Sequence, residues 1–141
     1  MILGKLGKYD EAEAMEKRVL EARARTLGEE HVDTLRAIEG LSKTLWDQEK
    51  RLDEVMAMEE KVLEVRMRIL GEGHPDTLRA MTDLAYSYDF LGREQEAREL
   101  MQKAIDESCK HLGENHPGTL YRVDEFKIMI GISQSPFENL V

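Results

Sequence analysis

The sequence predicts an all-α protein, an α-solenoid of antiparallel helix pairs with about six helices, and three observations predict it. One stretch occurs three times: Leu27-Gly28-Glu29-Glu30-His31-Val32-Asp33-Thr34-Leu35, Leu70-Gly71-Glu72-Gly73-His74-Pro75-Asp76-Thr77-Leu78 and Leu112-Gly113-Glu114-Asn115-His116-Pro117-Gly118-Thr119-Leu120. Its copies stand 43 and then 42 residues apart, a period long enough for a helix pair and a turn. Between the copies, apolar residues recur at steps of three and four, the spacing of one helical face, and no strand-like alternation is visible.

Taken in order, the first expected helix covers residues 8–27, where Ala12, Met15, Val19, Ala22 and Thr26 share a face. Leu27-Gly28 closes it, because glycine enters the left-handed region without steric cost. The second covers residues 33–48, with Leu35, Ile38, Leu41 and Leu45 inward. The third, 51–70, repeats the first stripe as Val55, Met58, Val62, Val65 and Ile69. The fourth, 76–91, carries Leu78, Met81, Leu84, Ala85 and Tyr88. The fifth, 93–112, starts the stripe again with Ala97, Leu100 and Ala104, but Glu107 and His111 make its far end wetter. The sixth covers residues 118–130.

Asp33 and Asp76 are the expected N-caps of the helices that follow the repeated stretch, with Gly118 a weaker cap in the third copy. Pro75 and Pro117 sit where a missing amide hydrogen costs nothing. The turn Leu91-Gly92-Arg93 corresponds to Gln48-Glu49-Lys50-Arg51, which lacks glycine and is one residue longer, and this accounts for the two periods. Glu21 with Arg25, Glu64 with Arg68 and Asp106 with Lys110 are acid-then-base pairs at spacing four, each expected to add about 0.2–0.5 kcal/mol of helix support.

Leu84, Ala85, Tyr88, Gly92, Ala97 and Ala104 fall at the spacing of the tetratricopeptide repeat, and the Leu-Gly-Glu-x-His-Pro-x-Thr-Leu connector resembles the kinesin light chain variety of that repeat. Similar arrays are appended to nucleotide-binding signalling proteins of fungi and bacteria. The resemblance covers roughly Gly7 to Ile130 and implies a right-handed solenoid, a repeat array over residues 1–132 with 133–141 as a C-terminal tail. It also implies that the first helix of each pair lines a concave groove that receives an extended peptide or a partner helix. That groove would show Arg36, Glu39, Lys43 and Trp46 from the second helix. Arg79, Thr82, Asp83, Tyr86 and Phe90 would come from the fourth, and Tyr121, Asp124 and Glu125 from the sixth. The asparagine that grips ligand backbone in kinesin light chain repeats is replaced here by Gly40, Asp83 and Glu125.

Composition sets limits on partners. The net charge is −9, with acidic and basic residues interleaved rather than blocked, so no clustered basic face is available for nucleic acid or an anionic membrane. No apolar run reaches transmembrane length and Met1 to Leu6 is too short for a secretory signal, which makes a cytoplasmic protein the expectation. Cys109 is the single cysteine. His31, His74 and His116 recur in register, but equivalent residues of stacked repeats stand too far apart to share one metal ion. Cys109, His111 and His116 lack zinc-site spacing, so neither metal nor cofactor is expected.

Nothing in the chain matches a nucleophile elbow, a metalloprotease helix or a phosphate loop. The expected function is therefore a non-catalytic scaffold that binds a protein or peptide. The alternatives are a repeat-fold enzyme or small-molecule binder using the groove's acids and tyrosines, or a structural oligomerisation segment. The first helix lacks the partner that should precede it and the last lacks the one that should follow. Met1, Ile2 and Leu3 resemble the stub of a missing helix, and Phe126, Ile128, Met129, Ile130 and Ile132 make the last helix unusually apolar. Three arrangements fit: a piece of a longer array, a cap with the tail draped over it, or a homo-oligomer joined through these ends.

Overall fold

The computed structural model describes residues 2–49 and 51–131; Ile132 and the tail from 133 to 141 lie outside them. Six helices follow one another: α1 (Ile2–Leu27), α2 (Val32–Asp47), α3 (Leu52–Leu70), α4 (Pro75–Phe90), α5 (Glu94–Leu112) and α6 (Pro117–Met129). No strand occurs among the described residues. The chain divides into two compact units, one ending at Val65 and the other beginning at Arg66, so that the boundary falls inside α3.

In the first unit, α1 and α2 pack side by side, and α3 joins them through a core of Leu41, Leu45 and Val55. Leu20, Trp46 and Met58 close over that core from three different helices. Glu13 of α1 is buried and forms ion pairs with Arg51 and with Lys17, the latter at 2.9 Å. The glycine-free turn between α2 and α3 reaches its geometry at a cost, since Glu49 and Arg51 both adopt positive φ, 52° and 51°. An L-residue in that region costs about 1 kcal/mol relative to glycine.

In the second unit, α5 packs against both α4 and α6. Ala85, Met101 and Ile105 form its centre, with Val123, Phe126 and Met129 of α6 laid against them. Here Gly92, at φ 87°, makes the turn, and the Arg93 guanidinium sits 4.4 Å from the Tyr88 ring centroid.

Two features depart from the sequence-based expectation. Helix α1 begins at Ile2, six residues before the expected start, and takes in Ile2 and Leu3, which were expected to be the stub of a separate helix. Its apolar stripe also stays in solvent: Met15 is 65% and Val19 41% exposed, whereas Val62, one repeat later, is 3% exposed. The physical reason is that no helix among the described residues lies over it. In α3 the same stripe meets α2 through Val55 and Met58, and the Ser42 hydroxyl contacts the Met58 sulfur at 3.4 Å.

Candidate functional site

The repeated connector is built as a junction whose conserved-by-repetition residues all have structural work. Gly28, Gly71 and Gly113 close α1, α3 and α5 with φ of 94°, 90° and 100°. Three residues on, a histidine caps the next helix. The Nδ1 atoms of His31, His74 and His116 accept the backbone N–H of Asp33, Asp76 and Gly118 at 3.0, 3.1 and 3.0 Å. This corrects the expected N-caps: Asp33, Asp76 and Gly118 donate to the cap and stand inside the helix. An imidazole nitrogen two bonds from Cβ reaches the first-turn amides as a short carboxylate does. Pro75 and Pro117 then open α4 and α6 as the first helical residue.

The threonine of each copy is buried and turned back on the preceding segment. Thr34 donates to the Gly28 carbonyl at 2.7 Å and Thr77 to the Arg66 carbonyl at 3.3 Å, while Thr119 shares a hydrogen bond with Ser108 at 2.8 Å. A guanidinium completes each junction. Arg23 donates to the Asp33 carbonyl at 3.0 Å, and Arg66, 1% exposed, donates to the Asp76 carbonyl at 3.4 Å. In the third copy Ser108 has taken the arginine's place, and Arg122 of α6 donates instead to the equivalent Gly118 carbonyl at 3.0 Å. Glycine at 118 makes room for it, because a Cβ there would lie 3.1 Å from the guanidinium.

Arg122 is the residue that sequence reasoning missed. It stands where α2 and α4 carry the buried Ala37 and Ala80, and its Nε donates to the Thr82 hydroxyl at 3.1 Å. Burial pushes its guanidinium below the ordinary arginine range, opposed by the charges of Tyr121 and Asp83. The departure from alanine in an aligned position was the available signal. Thr82, expected on the groove, is consequently buried and also donates to the Leu78 carbonyl.

The remaining expected site residues fall on their own unit's surface or edge. On α2, Arg36 is exposed and pairs with Asp33 at 3.9 Å, Lys43 is exposed, and Glu39 is half-buried. Trp46 packs on the core of the first unit, and Glu16 of α1 stands against Gly40, where an added Cβ would meet its carboxylate at 2.9 Å. On α4, Arg79 pairs with Asp76 at 3.4 Å, Asp83 is exposed, Tyr86 is half-buried, and Phe90 is 58% exposed. On α6, Tyr121 is 53% exposed, Asp124 is exposed and Glu125 half-buried. Phe90 of α4 and Tyr121 of α6 are thus both more than half exposed, and Arg122 links their two helices through Thr82.

Other surfaces offer little chemistry. An open depression on α5 is lined by Arg98, Glu99, Lys103, Asp106, Glu107 and Phe126. Lys103, bonded at 2.9 Å, holds the Glu72 carboxyl below the usual carboxylate range, and Arg93 does the same for Glu96. Among the described residues no group of three or more His, Cys, Asp or Glu side chains is placed to hold a metal ion, and no helix is long and apolar enough to cross a membrane.

The chain is similar to solved repeat proteins. A Podosopora anserina protein described as having kinesin light chain nearly identical TPR-like repeats shares 26% identity with a TM-score of 0.77, over 89% of this chain and 59% of that one. BtubC (BKLC) from P. vanneervenii has the same fold, with 18% identity, a TM-score of 0.72 and coverage of 89% and 51%. The chain therefore spans little more than half the length of these structures. No curated protein matches it in sequence. The tetratricopeptide repeat model matches residues 1–68 and 57–106. Such repeats mediate protein–protein interaction and scaffolding, and the kinesin light chain-like neighbours are non-catalytic. With that match over most of its length and with helix pairs joined by the same capped connector, the chain belongs to the tetratricopeptide repeat family.

Proposed function

We propose that this protein is a non-catalytic binding module whose partner is a protein segment held on the α4 and α6 face of the second unit. The carrying observation is the exposure of two aromatics, Phe90 of α4 at 58% and Tyr121 of α6 at 53%. Aromatics surrounded by charges are the usual anchors of protein recognition, because they supply large contact area at small entropic cost. Asp124 and Glu125, three and four residues on from Tyr121 in α6, and a net charge of −9 favour a segment that carries lysine or arginine next to an apolar residue. The cytoplasm is the compartment we assign to this activity.

The test starts from a displayed library of random peptides selected on the purified chain. Selected peptides are measured by titration calorimetry against wild type, against Arg79→Ala with Tyr86→Ala, and against Phe90→Ala with Tyr121→Ala. Both double variants are expected to weaken binding by at least about tenfold, as loss of a hot-spot aromatic does, with far-UV circular dichroism unchanged. Peptides that bind both variants as tightly as wild type would place the site elsewhere.

A further inference from the structure

We infer that α1 is an interface between two copies of this chain, paired antiparallel about a two-fold axis through the seam Ala12, Met15, Val19 and Ala22. Lys8, Ala12, Met15, Val19, Ala22 and Thr26 follow one another at steps of four and three. That strict alternation makes a narrow seam of the coiled-coil kind rather than the broader stripe of a helix lying on a core. One flank of the seam is already engaged with its own unit, through Leu20 in the core, Arg23 on the Asp33 carbonyl and Glu16 beside Gly40. The seam itself is open, with Met15 and Val19 its most exposed large side chains.

What fits this seam is indicated by the chain's own repetition. The equivalent face of α3, made of Val55 and Met58, is covered by a helix, α2. A helix is therefore the shape that the face accepts, and the charges select which one. Glu11, Arg18 and Arg25, all exposed, run along the open flank of the seam at intervals of seven. A parallel pair would set this flank against the other flank of the second copy, with Glu11 near Glu16 and Arg18 near Arg23, like charge on like. An antiparallel pair brings Glu11 of one copy to Arg25 of the other, twice, and leaves only Arg18 facing its equivalent at the axis. In the same register Met15 meets Val19 of the second copy and Ala12 meets Ala22, so the large side chains interlock at the centre and small ones let the helices approach at the ends. The contact is isologous and closes at two copies. Helix α6 is a poorer match, because Lys127 stands where α2 and α4 carry Ser42 and Ala85, the small buried residues at closest approach.

Light scattering and sedimentation across a wide concentration range test this on the 141-residue chain. The expected result is a monomer–dimer equilibrium with no larger species. Val19→Glu is expected to leave a monomer with unchanged helicity, since the side chain is exposed in the single copy. Glu11→Arg or Arg25→Glu alone is expected to weaken dimerisation about two- to tenfold, two exposed pairs being lost per dimer. The two together should restore it, and Arg18→Ala should tighten it. A monomer at every concentration, species beyond the dimer, a dimer that survives Val19→Glu, or a double charge exchange that fails to restore pairing would each overturn the inference. A dimer lost instead in Leu120→Glu would do so as well, by assigning the interface to α6.

Discussion

Replacing His74 by alanine removes the Nδ1 acceptor of the Asp76 amide and touches nothing else of the α4 core. The first turn of α4 has few donors to satisfy. Pro75 has no N–H, and the Leu78 amide already reaches the His74 carbonyl at 2.9 Å, which the alanine backbone retains. What is lost is one cap bond of 3.1 Å at a half-buried site. Removing such a cap costs about 1 kcal/mol, within a range of about 0.5–2. For a chain of this size that corresponds to a melting temperature lower by about 2–5 °C. His31→Ala and His116→Ala should cost similar amounts, and because the three caps share no partner the triple variant should lose about 3 kcal/mol. His74→Asp supplies an equivalent acceptor and a negative charge at a helix N-terminus, so it should match or exceed wild type. Urea unfolding followed by circular dichroism measures each variant, with the midpoint read at constant slope. A loss below about 0.3 kcal/mol for alanine, or an aspartate as damaging as alanine, would refute the assignment of the imidazole as the cap.

Three more outcomes are expected. Val62→Glu should cost several kcal/mol or prevent folding, because it buries a carboxylate, whereas Val19→Glu at the same repeat position should stay within about 0.5 kcal/mol of wild type; parallel denaturation curves decide it. Glu49→Gly, which relieves a positive φ, should stabilise the α2–α3 turn by up to about 1 kcal/mol, and an unchanged or lower midpoint would contradict the reading. Glu72, held below its ordinary value by Lys103, contributes stability that is present above the unfolded-state carboxyl value and lost as pH falls through the folded one. Lys103→Met should therefore cost no more than about 0.5 kcal/mol at neutral pH for this largely exposed pair. The difference from wild type should vanish in acid, and a pH-independent deficit would assign the effect to packing.

The helix pairs, their junctions and the glycine stops were legible because they rest on periodicity and on backbone rules that any sequence exposes. Leu27-Gly28, Leu70-Gly71 and Leu112-Gly113 ended their helices as glycine chemistry requires. The caps were not legible, since the preference for short acids at that position points to Asp33 and Asp76, and only geometry reveals an imidazole reaching over them. Trp46 on the core and Thr82 beneath Arg122 show the limit for the candidate surface. A helix has a polar side by its periodicity, but which polar side chains another residue then covers depends on long reaches such as that of Arg122. The open seam of α1 was legible as an apolar stripe and not as a surface, because a stripe does not state whether a neighbour exists.

The three junctions differ in how they would answer to tension. At the first two, an arginine rooted in the earlier helix grips the start of the later one, through Arg23 on Asp33 and Arg66 on Asp76. Pulling those helices apart must break a charge-assisted bond together with the threonine's grip. At the third, Arg122 belongs to the same helix as the carbonyl it serves, the neutral Ser108–Thr119 hydroxyl contact crosses from α5, and the Arg122 Nε is tied to Thr82 of α4. Load on the third junction is therefore shared with α4: α6 must release a bond to a helix two places back before it peels away, whereas the first two junctions are latched by the helix directly before them.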